Sequence, residues 1–502
     1  MKLIKIASFL ILFLNVSVCE ECICEKEDQE KVDEKIHVEK KHGVVLTSDY
    51  LRSLGFGHSA TLFNLKNLDI IELHPDAFEE FPNATLIDLS HNRIKKIDSQ
   101  LFRNQYSLVE LKLNNNQIEE IEPQAFDSLD SVQLFDISNN RLSGVLPADL
   151  INPMVNIHYF QASSNSIEDI QWDLILLQSV EMFNVSSNKI SVLSVCNGTI
   201  TPTCPIYGTW PLLFLWKGVD LSNNKLNKIG KYDLYLVKDI ETFDVSNNEI
   251  EYIDSESFKF NSHLIELNFQ NNNLTRIEFN TFDSLVNLLT LNLSYNRLRR
   301  IDWEIFNPMV SLFMLEMKYN RICHLNWDYM VMEKLEIFDM SFNLVEEISK
   351  CNETVTELCP NFDNGVLPFN PQLKLINFSH NRIKKLYKYD FYFNRVLQQL
   401  DLSYNHIVTI QPKSFFYNQQ LNTLILDNNK LRSINKHYFE GLKRLRYLEL
   451  EYNFINKFSK YALSDSKKIK TVCLNANPIK KNQKILENVC AYNPKCVVRK
   501  CT

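Results

Sequence analysis

The 502-residue chain lacks the features by which several classes of function are usually recognised. Past its first two dozen residues it has no continuous apolar run of the ~20 residues that a membrane-spanning helix needs, so no membrane span is expected. The final stretch Cys496–Thr502, C-V-V-R-K-C-T, has no hydrophobic tail, which argues against a glycolipid anchor. Positive charge is not in excess: the formal net charge is -7, no single basic tract dominates, and no nucleic-acid partner is expected. Glycine is scarce, 10 residues, and none of it forms a phosphate-binding loop. There is no G-x-S-x-G elbow and no H-E-x-x-H pair. Histidines are scattered, and His91, His380 and His406 merely flank asparagines of the repeat described next. Carboxylates abound, but without a pocket a chance pair is no active site. We expect no enzyme activity, no cofactor and no metal.

What the chain has in abundance is one unit. Leu288–Ile301, L-L-T-L-N-L-S-Y-N-R-L-R-R-I, has the form L-x-x-L-x-L-x-x-N-x-L-x-x-I, and nearly the whole chain restates it. Leu291 and Leu293 alternate with Thr290, Asn292 and Ser294, the pattern of a short half-buried strand. An asparagine follows where backbone groups lose their ladder partners, and its amide can both donate to and accept from them. This position recurs at Asn92, Asn116, Asn140, Asn165, Asn188, Asn224, Asn248, Asn272, Asn296, Asn320, Asn343, Asn381, Asn405, Asn429, Asn453 and Asn477, mostly in steps of 24 residues, with Leu68 opening the series. Ten residues later lies a second column: Phe78, Phe102, Phe126, Phe258, Phe282, Phe306, Phe391, Phe415 and Phe439. These are read as core fillers. A repeat of this length and form is the leucine-rich-repeat signature, and one coil cannot bury its own apolar edge, so about 17 coils must stack. The expected fold is α/β: a leucine-rich-repeat solenoid, a horseshoe, with a parallel β-sheet on its concave face and a disulfide-stapled C-terminal cap.

Residues 1–19 read as a secretory signal: Lys2 and Lys5, the apolar run Ile6–Val18, and cleavage after Ser17-Val18-Cys19. Residues 20–60 are expected to form an N-terminal cap, with a densely charged stretch Glu25–His42 in which Ile36 and Val38 alternate as in a strand. The repeats span 61–468, with disulfide loop insertions at 196–216 and 351–371. Residues 469–502 hold the last coil and a cysteine-rich cap. A secreted, extracellular chain should use most of its cysteines in disulfides. Cys196–Cys204 and Cys351–Cys359 are natural local pairs. Cys473, Cys490, Cys496 and Cys501 would staple the C-terminal cap in an order the sequence leaves open. Cys22, Cys24 and Cys323 make an odd remainder, and a homodimer through Cys323 is one consequence. C-N-G-T-I-T-P-T-C-P (Cys196–Pro205) matches C-N-E-T-V-T-E-L-C-P (Cys351–Pro360) at Cys, Asn, Thr, Thr, Cys and Pro with an offset of 155 residues, pointing to an internal duplication.

The outward strand position four residues before each ladder asparagine reads Asp88, Lys112, Asp136, Gln161, Asn184, Asp220, Asp244, Asn268, Asn292, Glu316, Asp339, Asn377, Asp401, Ile425 and Glu449. The carboxylates among them, Asp88, Asp136, Asp220, Asp244, Glu316, Asp339, Asp401 and Glu449, are candidate concave binding residues. One residue past each ladder asparagine the sign reverses, at Arg93, Arg141, Lys189, Lys225, Arg297, Arg321, Arg382 and Lys430. Such a pairing of rows can steer a basic partner, or the rows simply balance each other. Glycosylation sequons stand at Asn83, Asn184, Asn197, Asn273, Asn292, Asn352 and Asn377. Asn184, Asn292 and Asn377 lie in the stripe, so glycans there would push binding toward the ends, the lateral edges and the two disulfide loops.

The coils from about 61 to 480 resemble the extracellular leucine-rich repeats of animals. Their 24-residue units and cysteine-rich end are most similar to the leucine-rich immune proteins secreted by mosquitoes, and more distantly to Toll receptor ectodomains. That resemblance implies a protein-binding scaffold of innate immunity, partnered with a complement-like host defence protein or a microbial surface. Members of that group often carry a coiled coil after the repeats. No heptads follow Asn477, so the chain resembles a coil-less member. The competing expectation is a soluble adhesion or developmental ligand that binds a cell-surface receptor.

Overall fold

The structure is a computed structural model, and it describes residues 43–171, 175–178, 180–193, 215–235, 237–325, 332–348, 370–481, 489, 490, 493 and 495–499. Outside them lie the expected signal segment, Ile36 and Val38, most of both expected loop insertions, Cys22, Cys24, Cys196, Cys204, Cys351, Cys359 and Cys501, and the sequons Asn197 and Asn352.

The alternating strand motif folds as its pattern dictates. Thr290–Asn292 buries only its middle residue, Leu291, and leaves the flanking pair half-exposed. Its neighbours Glu266–Asn268 and Met314–Glu316 do the same, and all three run parallel with Leu267, Leu291 and Leu315 side by side. The main sheet has 18 parallel strands among the described residues. At one end Leu62–Asn64 pairs with Leu86–Asp88; at the other, Val497–Arg499 pairs with Thr471–Cys473. No pairing joins those two ends, so the sheet is open and not a closed barrel. On the return paths short parallel pairs form, such as Lys96–Ile97 with Glu120–Ile121. Helix is sparse among the described residues: Ser48–Ser53, Ala148–Ile151, and the 3-10 turns Trp303–Phe306 and Pro478–Lys481.

The asparagine column is a ladder of amides. Asn296 Nδ2 donates to the carbonyl of Phe269 in the preceding coil at 2.9 Å and to that of Leu293 in its own at 3.1 Å. Its Oδ1 accepts the N–H of Leu274 at 3.0 Å. The same three bonds recur along the column, for instance at Asn116 and Asn453. They survive the two long steps: Asn224 reaches back to Val185, and Asn381 to Met340. Leu68 opens the series, its N–H donating to Asn92 Oδ1.

The phenylalanine column stacks behind it. Ring centroids lie 6.1 Å apart for Phe78–Phe102 and 6.3 Å for Phe258–Phe282. Between Phe126 and Phe258 the column is interrupted, and the aromatic filling moves to the strand residues Phe135, Phe160 and Phe183 and to Trp216 just before a strand, which stack at 5.8, 4.7 and 4.8 Å. Trp216 is buried, and its Nε1–H donates to Leu177 O at 2.8 Å.

Both described ends are covered. Val44–Leu46 pairs in parallel with Ile70–Leu73, and the helix after it is capped by Thr47, whose hydroxyl accepts the Tyr50 N–H at 3.1 Å. At the other end Cys490 and Cys496 form a disulfide, and Cys473 is disulfide-bonded too. Cys323 is a free, half-exposed thiol.

Candidate functional site

The solvent face of the main sheet is where the fold displays side chains it does not need for packing. The strand register brings the eight candidate carboxylates into one row, together with the amides between them: Asp220 opposite Asp244, Asp244 opposite Asn268, Glu316 opposite Asp339, and so on from Asp88 to Glu449. The row has an inward duty that the sequence reading did not assign. Asp88 Oδ1 accepts the N–H of Ser90 at 2.9 Å, Asp136 that of Ser138, Asp220 that of Ser222, Asp244 that of Ser246, Asp339 that of Ser341 and Asp401 that of Ser403. Asn184, Asn268, Asn292 and Asn377 do the same with their amide oxygens. Each short side chain therefore closes the turn that leaves the strand, an Asx turn, and part of what remains is spent within the face: Asn268 Nδ2 donates to Asp244 Oδ2, Asn292 Nδ2 to Gln270 Oε1 and Asn377 Nδ2 to Asp339 Oδ2, and Asp244 is buried. Glu316 and Lys112 lie in the row with ion-pair partners instead, Lys318 and Glu110, each at 3.1 Å.

Crowding shows in the proton affinities. Burial pushes the Asp220 carboxyl up to about 6, with the neighbouring Asp244 charge adding to the effect. Burial also raises Asp136 and Glu449. At the C-terminal end of the row Asp427, in the turn after the strand, is pushed up to about 7 by burial first and by the Glu449 and Glu451 charges after it.

The basic row lies exposed at Arg93, Arg141, Lys189, Lys225, Arg297, Arg321, Arg382 and Lys430. Arg93 is tied to Asp69 at 2.6 Å. Of the sequons, Asn83 is exposed, and Asn184, Asn273, Asn292 and Asn377 are half-exposed.

Between the two rows lies a column that the sequence reading missed. The residue immediately before every ladder asparagine has φ near +55°, the left-handed region: His91, Asn115, Asn139, and on to Tyr452 and Ala476. Asparagine tolerates that conformation best among non-glycine residues, and it stands there in six coils, as at Asn115, Asn247 and Asn428. In five consecutive coils the position is instead aromatic: Tyr295, Tyr319, Phe342, His380 and Tyr404, with φ of 56, 55, 56, 53 and 52°. Their rings stack face to face, with centroids 4.3, 4.0, 3.9 and 4.1 Å apart and planes within 13° of parallel. Tyr295, Tyr319 and Tyr404 are still 41, 39 and 50% exposed. Stacking uses up the ring faces and leaves a ribbon of ring edges and phenol hydroxyls toward solvent. Burial holds the His380 imidazole below its usual pKa, with the Asp401 charge opposing. In the same coils the strand position beyond the acidic row carries Met314, Ile337 and Leu375, all half-exposed. The 24-residue spacing of Tyr295 and Tyr319 was the signal available in sequence.

Among the described residues no group of three His, Cys, Asp or Glu side chains is placed to hold a metal ion, and no helix is long and apolar enough to cross a membrane.

A leucine-rich-repeat profile matches residues 82–142, 238–298, 262–322, 286–345 and 419–479, and a second one matches residues 396–418. No curated protein sequence matches the chain. Among solved structures, a leucine-rich-repeat protein of Leptospira interrogans is 22% identical, covering 84% of this chain and 97% of its own, with a TM-score of 0.53. The functional domain of InlJ from Listeria monocytogenes, which includes a cysteine ladder, is 18% identical over 82% of this chain and 74% of its own, with a TM-score of 0.50. The leucine-rich repeat domain of APL1B is 19% identical over 92% of this chain and 95% of its own, with a TM-score of 0.41. At these identities the likeness speaks for the fold alone. Stacked coils, an unbroken amide ladder and two matching repeat profiles together make this chain a member of the leucine-rich-repeat family.

Proposed function

We propose that the chain is a secreted, non-enzymatic scaffold that holds a protein partner on the solvent face of the coils from Leu288 to Tyr404, with Asn292 and Asn377 free of glycan, as a recognition component of innate immunity. Leucine-rich-repeat proteins are protein-binding scaffolds, which supplies the general class. The observation that carries the location is the stack Tyr295–Tyr319–Phe342–His380–Tyr404. A bulky side chain in the left-handed region costs on the order of 1–2 kcal/mol relative to an ordinary conformation. Asparagine fills the same position more cheaply elsewhere in this chain. Five successive aromatic exceptions, side by side and exposed, are best explained by what their side chains contact. Aromatic residues with arginine at their margin, here Arg297, Arg321 and Arg382, are also the composition from which binding hot spots are built.

The disulfide Cys490–Cys496 supports an oxidising compartment. The immune assignment rests on the resemblance to secreted mosquito repeat proteins, with a host defence protein or a microbial surface as partner. The test compares immobilised protein with a Tyr319→Ala/Phe342→Ala variant in body fluid, with bound proteins quantified by mass spectrometry. Host defence proteins should be recovered by the parent and fall at least about tenfold on the variant, the loss of one hot spot. Recovery of adhesion receptors alone would reject the immune role. Equal recovery by both proteins would reject the face.

A further inference from the structure

We infer that the C-terminal coils carry a second binding site, on a different margin of the solenoid, that takes a sulfated polysaccharide chain. A cavity of about 230 Å³ is lined by Gln398, Gln420, Asn422, Arg444, Arg446 and Lys468. Every lining side chain brings hydrogen-bond donors, and none is a carboxylate. Backbone bonds fix its floor: Asn422 N–H donates to Gln398 O, Arg446 N–H to Asn422 O and Lys470 N–H to Arg446 O, each at 2.8 Å. Consecutive coils thus set Arg444 beside Lys468 and Arg446 beside Lys470, one strand spacing of ~4.8 Å apart.

The cations here are uncompensated. Residues 430–502 contain 17 Lys or Arg and 5 Asp or Glu, in a chain whose net charge is -7. Among the described residues the last ion pair along the chain is His437 with Glu440, so Arg444, Arg446 and Lys468 have no ion-pair partner there. The nearby Asp465 Oδ2 is occupied by the Gly441 N–H at 3.0 Å, and Glu451 is buried.

The shape and the donor set choose the ligand. The cavity is open to solvent, which suits a group on an extended polymer better than an enclosed metabolite. Guanidinium groups bind oxyanions in a bidentate fork, so two arginines on one coil, with lysines beside them on the next, match anionic groups repeated along a chain. The three amide side chains can both donate to and accept from sugar hydroxyls. No aromatic ring lines the cavity, so the stacking platform that holds single-stranded nucleic acid is missing. The run Lys443-Arg444-Leu445-Arg446 has the basic density associated with heparin patches.

The test is calorimetric titration of the full chain with a size-defined heparin oligosaccharide. Micromolar or tighter binding that weakens steeply with salt is expected. An Arg444→Ala/Arg446→Ala variant should bind at least about tenfold more weakly, from the loss of charge-assisted bonds. Arg444→Lys/Arg446→Lys, which keeps the charge and loses the fork, should fall in between. A Lys189→Ala/Lys225→Ala variant, altered on the other basic row, and the Tyr319→Ala/Phe342→Ala variant should bind as the parent does. Equal loss in the Lys189/Lys225 variant, equal binding of the desulfated oligosaccharide, or tighter binding of single-stranded DNA of the same charge would each overturn the inference.

Discussion

Asn296→Ala tests the ladder at its centre. The amide makes three bonds that alanine cannot: to Phe269 O, to Leu293 O and from the Leu274 N–H. Their loss is unequal. Phe269 O keeps the Asn272 amide as a donor, and Leu293 O keeps the Asn320 amide. Two of the bonds therefore cost about 1 kcal/mol each. The Leu274 N–H has no second acceptor and lies in a fully buried residue, so orphaning it costs about 1–3 kcal/mol more. The expected destabilisation is about 3–5 kcal/mol. A solenoid need not unfold in one step, so a global midpoint alone is a blunt readout. Hydrogen exchange resolves the matter: the Leu274 amide should lose protection while that of Leu113, far along the column, keeps it. Asn296→Asp sharpens the result, because it restores the acceptor for Leu274 but sets a carboxylate against two carbonyls. Its carboxyl pKa should rise in the folded state, so its stability should approach that of the parent below about pH 4 and fall as pH rises. Unchanged protection at Leu274 in the alanine variant, with a stability loss under about 1 kcal/mol, would refute the account of the ladder.

Further outcomes follow from the same geometry. Phe282→Ala, which removes a ring stacked between Phe258 and Phe306, should cost roughly 3–5 kcal/mol in urea unfolding. Asp427 has a folded pKa raised to about 7 against an unfolded value near 4, so its contribution is fully favourable at low pH and is lost as pH rises from about 4 to about 7. Asp427→Asn should therefore gain on the parent across that window, a difference readable from urea midpoints at pH 4 and pH 7.5. Cys490→Ser should loosen the C-terminal cap by about 2 kcal/mol, seen as faster proteolysis beyond Asn477 with the central coils intact.

The interior was legible because its chemistry leaves few choices. An asparagine every 24 residues after an alternating strand has one plausible use, and Asn92 through Asn477 serve it. The phenylalanine column was legible in part. Its interruption between Phe126 and Phe258 marks where Phe160, Phe183 and Trp216 take over the filling, a change of layer that spacing alone does not reveal. The small share of helix was not apparent from the repeat form, which fixes the strand and its turn but leaves the return path open. The acidic stripe falls in strand register, as its spacing implies, but its backbone role was not read from it. The D-x-S pattern at Asp88-Leu89-Ser90 and Asp220-Leu221-Ser222 is the mark of an Asx turn, and reading it as charge alone overlooked the bond each carboxylate makes to its own backbone. The charge of the C-terminal coils was hidden by averaging, since the net value of -7 sums an acidic stretch and a basic one.

This difference suggests where recognition should be sought in a molecule of repeated parts. At any one position of the coil some residue satisfies the backbone most cheaply: aspartate or asparagine at the Asx turn, asparagine in the left-handed slot. Where the chain uses that residue, stability explains it, and binding needs no separate argument. Where it departs, something other than the coil must compensate. Isolated departures such as His91 or Ala476 carry little weight. Five consecutive departures that bring their rings within 4.3 Å of one another carry more, because each ring gains only if its neighbours depart too. Self-stacking offsets part of the strain but leaves phenol groups in water and ring edges bare, an arrangement that asparagine in the same slots would avoid at less cost. On the proposed function, a partner that covers those edges would supply the remaining term that makes the substitution favourable.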